Sequence, residues 1–183
     1  MGPVRGAREG WGRRRGCRAR PGATAPHHAH YDQGADAAGA RAYYDTFNSY
    51  NIGYDFIGLS YYPWWHGNLL KLRENLLSLT DNYDKDIVLV ETAYNWRPSE
   101  YQNVPAPYPE TPEGQREFLR SVHETLLSVP SRQIKGILWW EPAVMKGPIR
   151  SRGMFDDAGN ALPALDVFEK YTHGAVGESN APE

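Results

Sequence analysis

Short apolar runs alternate with longer stretches of helical periodicity from about residue 26 to residue 172 of this chain. Phe56-Ile57-Gly58-Leu59, Ile87-Val88-Leu89-Val90 and Ile137-Leu138 are free of charge. Such runs belong to strands buried on both faces, as in a parallel sheet. Between the first two, Leu69, Leu72, Leu76 and Leu79 recur at three- and four-residue steps, while Lys71, Arg73, Glu74 and Asn75 fill most of the other face. That period predicts an amphipathic helix. Thr111-Pro112-Glu113 supplies a capping residue, a first-turn proline and an acid near the amino end, and Phe118, Val122, Leu126 and Val129 line the buried side of the helix that follows. The alternation predicts an α/β fold of four strand–helix units. Their strands lie around Ala25 to His30, Phe56 to Tyr61, Ile87 to Glu91 and Gly136 to Trp140, and their helices over Ala37 to Tyr50, Leu69 to Tyr83, Thr111 to Val129 and Ala161 to Tyr171. Pro98, Pro105, Pro107 and Pro109 predict a long loop between the third strand and its helix.

The chemistry gathers at the carboxyl ends of these strands. Glu91 closes the run Ile87 to Val90, where α/β barrels place their reacting groups. A strand-end glutamate often does no more than pair with an arginine or cap a loop. Here two neighbouring strands end in similar company: Leu59 runs into Ser60, Tyr61, Tyr62, Pro63, Trp64, Trp65 and His66, and Leu138 into Trp139, Trp140, Glu141 and Pro142. Three such ends predict one shared rim. A pyranose has an apolar face that stacks on indole and a girdle of hydroxyls that needs polar groups, and four of the six tryptophans lie at two strand ends. Neighbouring strand residues face opposite ways, so at least one tryptophan of each pair is expected in the core.

The segments DFIGLSYYPWWHG (Asp55 to Gly67), IVLVETAYNW (Ile87 to Trp96) and GILWWEPA (Gly136 to Ala143) resemble glycoside hydrolase family 53, the endo-β-1,4-galactanases that cut type I arabinogalactan. Weaker matches flank them, HYDQGAD (His30 to Asp36) before and MFDDAGNALPALDVF (Met154 to Phe168) after. The resemblance implies a (β/α)8 TIM barrel whose acid/base glutamate ends the fourth strand and whose nucleophile ends the seventh. VLVETAY then stands for the seventh strand and Glu91 for the nucleophile. The acid/base normally follows an asparagine, and no Asn-Glu pair occurs in this sequence. A complete barrel takes roughly 250 residues, and this chain has 183. The expected fold is therefore an incomplete barrel of units 5 to 8 over residues 26–174, and the expected enzyme a fragment lacking its acid/base. His30, Tyr61, Tyr62, Trp64, Trp65, His66 and Trp140 are the residues the resemblance offers to substrate, with Tyr61 or Tyr62 donating to Glu91. His66 carries an equal reading as a loop residue bonded to backbone. Glu141 is expected to point away from the pocket into a structural pairing. The competing reading is a non-catalytic remnant that binds galactan weakly; hydrolysis of mannan or cellulose fits the SYYPWWHG string less well. Open parallel edges predict self-association or aggregation.

Seven arginines against one glutamate make residues 1 to 20 strongly basic, although the whole chain carries a net charge of −2. Glycine and arginine without apolar periodicity bury too little surface to order a chain, so residues 1–25 are expected to be disordered and to belong to a truncated or wrongly assigned reading frame. The segment lacks the apolar core of a secretory signal, which leaves localisation open. A basic arm of this kind is more often solvated than bound to nucleic acid, and neither nucleic acid nor membrane is expected as a partner. A flexible tail is expected over 175–183. Cys17 is the only cysteine, so no disulfide forms within one chain. His27, His28, His30 and Asp32 invite a metal, yet alternation puts only His28 and His30 of the histidines on one face, short of a closed zinc site. Some relatives implied by the resemblance carry calcium in the seventh and eighth loops, but no oxygen-ligand cluster stands out there. No metal or cofactor is expected.

Overall fold

A computed structural model describes residues 26–99, 105–144 and 146–173. The segments 1–25 and 175–183 singled out above lie outside the described residues. Four strands form one parallel sheet in the order β1 (His28–Tyr31), β2 (Phe56–Tyr61), β3 (Asp86–Thr92), β4 (Ile134–Trp139). Helices α1 (Ala37–Ser49), α2 (Leu69–Asn82) and α3 (Pro112–Leu127) make the crossovers, and α4 (Leu165–His173) follows β4. Sequential parallel strands with successive helices packed on one another form an arc of a (β/α) barrel.

The outer face of the sheet is the core. Ile57, Leu59 and Tyr61 of β2 and Ile87 and Leu89 of β3 are buried beneath Leu72, Leu76 and Leu79 of α2 and Phe118, Leu119 and Val122 of α3. Each crossover helix starts on a side-chain cap: Asp36 accepts from Gly39 N, Asn68 from Lys71 N, and Thr111 from Gly114 N. An N-cap of this kind satisfies an amide that the helix cannot. Polar side chains tie the layers together. Tyr44 Oη donates to the carbonyls of Ala29 (3.2 Å) and Gly58 (3.0 Å), stitching β1 and β2 to α1. Gln115 Nε2 reaches the carbonyls of Tyr94 (2.8 Å) and Gly153 (2.9 Å) from α3.

The inner face is open. His28 and Leu138 are exposed, and His30, Phe56, Val88 and Val90 only half-buried. β1 and β4 are the edges of the sheet among the described residues.

Two details differ from the sequence expectation. α4 starts at Leu165 rather than Ala161, because Asp156 to Asn160 form a turn, closed by Asp156 N to Asn160 O (2.9 Å), that sets Phe155 against Ala161. Pro163 also disfavours helix at the residue before it. The second detail is a β-bulge in β3. Leu89 pairs with Leu59 but Glu91 pairs with Ser60, and on the other side Val90 and Glu91 together stand opposite Leu138 alone. One residue too many turns two successive side chains to the same face.

Candidate active site

Glu91 reaches the inner face through this bulge. Val88 and Val90 face inward by alternation, which would send Glu91 out into the helix layer. The inserted residue returns it to the register of inward-facing Ser60, and Thr92 takes the outer position, buried, with its hydroxyl on Tyr61 O at 2.6 Å. Tyr62 Oη donates to Glu91 Oε1 at 2.8 Å. Burial first, then the bond to Glu91 and that carboxylate's charge, push the Tyr62 phenol well above its ordinary range, while the Arg152 guanidinium acts in the opposite direction. Tyr62 therefore stays a neutral donor at every working pH.

The other expected residues divide by face. Tyr61 lies on the outer side, buried against Phe118 with its hydroxyl on Gly67 O (2.9 Å), so of the two tyrosines only Tyr62 reaches Glu91. Strand alternation is the reason. His30 faces inward with Nε2 2.7 Å from Ser60 Oγ. After Tyr62 the chain turns sharply, with Trp65 N and His66 N both on Tyr62 O. The turn sends Trp64 under the rim, 7 % exposed and parallel to Tyr94 at 4.8 Å and 3°, and leaves Trp65 49 % exposed. Trp64 thus supports the rim from below, and Trp65 offers the free face. His66 is half-buried, with Nδ1 3.1 Å from both Tyr62 N and Ser60 O. Burial lowers its pKa, against the Ser60 carbonyl and the charges of Asp32 and Glu91. The Tyr62 N–H points in a fixed direction, so a neutral ring accepts it at Nδ1 and carries its proton on Nε2.

At the end of β4, Trp139 is buried with Nε1 on Arg152 O (2.8 Å), whereas Trp140 is half-buried on the inner side, its amide on Thr92 O (2.8 Å). Glu141 is exposed with φ +54°, and among the described residues it makes no ion pair. The pairing expected for it is thus not made there; the left-handed turn at this residue swings its side chain to solvent.

Sequence reasoning missed Arg152. Its guanidinium lies 5.6 Å from the Tyr62 ring, 5.4 Å from Trp64, 5.4 Å from Trp65 and 5.7 Å from Trp140. It also missed the clasp between the loops after β3 and β4. Arg97 binds Asp157 through both nitrogens (2.6 and 3.1 Å), Ser151 Oγ donates to Asn95 Oδ1 (3.1 Å), and Trp96 N donates to Ser151 O (2.8 Å). The concentration of cations in Lys146, Arg150 and Arg152 was the available signal. Among the described residues no group of three His, Cys, Asp or Glu side chains converges as metal ligands. No helix among the described residues is long and apolar enough to cross a membrane.

Parallel strand–helix units whose carboxyl ends bring Glu91, Tyr62, Trp65 and Trp140 to one rim are the architecture of a (β/α)-barrel domain with its site at that end. The chain belongs to glycosyl hydrolase family 53, whose model matches residues 24–168. It is 41% identical over 125 residues to an uncharacterised protein of Niallia circulans, covering 62% of this chain and 34% of that one. To the endo-beta-1,4-galactanase of Bacillus subtilis (strain 168) it is 31% identical over 183 residues, with coverages of 72% and 42%. The GH53 catalytic domain of Ignisphaera aggregans superposes with a TM-score of 0.69 at 28% identity, covering 77% of this chain and 45% of that domain. The chain thus spans less than half the length of these relatives.

Proposed function

We propose that this chain carries the nucleophile side of an arabinogalactan endo-β-1,4-galactanase site that works by retaining double displacement. The observation that carries the reading is Glu91 itself: a carboxylate turned inward by a bulge, held by the Tyr62 hydroxyl at 2.8 Å and set among open aromatic faces at the carboxyl end of a parallel sheet. Relatives named as galactanases support the choice of substrate class. In the proposed first step a Glu91 oxygen attacks the anomeric carbon while a second carboxyl group, about 5 to 5.5 Å away, gives its proton to the departing glycosidic oxygen. In the second step that group takes a proton from water, and the water oxygen displaces Glu91 with net retention.

Trp140 and Trp65 stack on galactose rings, His66 Nε2 and His30 bond to hydroxyls, and Trp64 and Tyr61 hold the rim from beneath. The family resemblance assigns the second carboxyl to the end of the fourth barrel strand, after an asparagine, and no Asn-Glu pair occurs in this sequence.

The test is reducing-sugar release from β-1,4-galactan by the purified chain and by Glu91→Gln, with galactotetraose binding measured by calorimetry on both. Binding by both chains with release only from the unsubstituted one establishes Glu91 as the nucleophile and means that a second carboxyl comes from this chain or from another copy of it. Binding without release from either makes the chain a galactan-binding remnant, and a folded chain with neither property refutes the assignment.

A further inference from the structure

Arg152 is fixed from several sides before its side chain is considered. It closes the 3-10 turn Arg150–Arg152; its amide bonds Ile149 O (2.9 Å), its carbonyl accepts Trp139 Nε1 (2.8 Å), and its neighbour Ser151 is bound to Asn95 and Trp96. The side chain is buried, the residue 5 % exposed, against four aromatic rings. Three of those rings, Tyr62, Trp64 and Trp65, come from the loop after β2, and the fourth, Trp140, from the end of β4. The strand that carries Glu91 lies between these two places. A planar, weakly hydrated guanidinium is the cation best suited to lie against several π-faces at once.

We propose that Arg152 is a positioning residue of the sugar-binding rim: it sets Trp65 and Trp140 at a fixed spacing across the end of the sheet and turns the Tyr62 phenol toward Glu91. The choice of sugar ligand rests on the functional reading above, whereas the placement of the rings does not. Trp65 needs such a brace most, because it stands half exposed in a turn whose partner indole has gone beneath the rim. Arg152 and Glu91 act on the Tyr62 phenol with opposite sign, so the cation bears on the same ring that holds the nucleophile.

The experiment compares the full chain with Arg152→Met, which keeps bulk without charge, and Arg152→Lys, which keeps charge without the planar fork. Far-UV circular dichroism reports the fold, near-UV dichroism and acrylamide quenching report the indoles, and calorimetry reports galactotetraose binding. Arg152→Met is expected to keep the far-UV spectrum, lose near-UV tryptophan intensity, quench more readily and bind about tenfold more weakly, with Arg152→Lys between it and the parent. Unchanged indole signals in Arg152→Met would overturn the proposal. So would loss of the far-UV spectrum in both variants, which would make Arg152 a folding residue only. If the parent binds no galactotetraose, the functional reading falls, while the quenching comparison still decides whether Arg152 holds the rings.

Discussion

Tyr62 shows how much rests on one side chain. Its hydroxyl is the donor on Glu91 Oε1, and a hydrogen bond to a charged acceptor contributes about 1.5–3 kcal/mol. Tyr62→Phe is therefore expected to lower kcat/KM on galactan by about 10- to 100-fold and to leave galactotetraose binding near the parent value, as initial-rate kinetics beside calorimetry would show. The role of Tyr62 was half legible in the sequence. Two adjacent tyrosines at a strand end imply one inward and one outward, but not which. The direction of Glu91 was less legible, since the run Ile87 to Val90 gives no sign of the extra residue that reverses its facing. Arg152 was not legible at all: a loop arginine thirteen residues past Trp139 has no period to place it, and only the fold brings it against rings from two strands.

The helices and strands follow local signals closely. The cap Thr111 and the leucine period of α2 sit where the sequence put them, and Asp36 and Asn68 cap α1 and α2 in the same way, because capping and amphipathicity are decided within a turn or two. Gly114 illustrates the limit of local reasoning. Alanine is the better helix former, yet a Cβ at this position would overlap the Pro109 carbonyl oxygen, backbone that cannot swing aside. Gly114→Ala is expected to cost about 1–3 kcal/mol instead of stabilising α3, a sign readable from urea midpoints. Gln115 beside it bridges the loops after β3 and β4 through two buried carbonyls. Gln115→Ala leaves both without this donor and is expected to cost about 2–4 kcal/mol, measured in the same way.

Across the whole molecule, tyrosines dominate the response to alkali. Burial raises Tyr31, Tyr83 and Tyr94 to about 12 and moves Tyr44, Tyr61 and Tyr62 in the same direction. Above pH 10 the unfolded chain loses phenolic protons that the folded chain keeps, so the folded state binds more protons and stability falls as pH rises. Thermal melts are expected to hold steady from pH 8 to 9 and to drop steeply between pH 10 and 12. The same melts carry a second variable. Among the described residues the parallel sheet ends at β1 and β4 with its inner face uncovered, and it presents backbone donors and acceptors which a complementary surface can satisfy only in the folded state. Any such partner, another copy included, stabilises by mass action, so the melting temperature ceases to be a constant of the chain. It becomes a titration curve, rising with protein concentration if copies close on one another and flat if they do not.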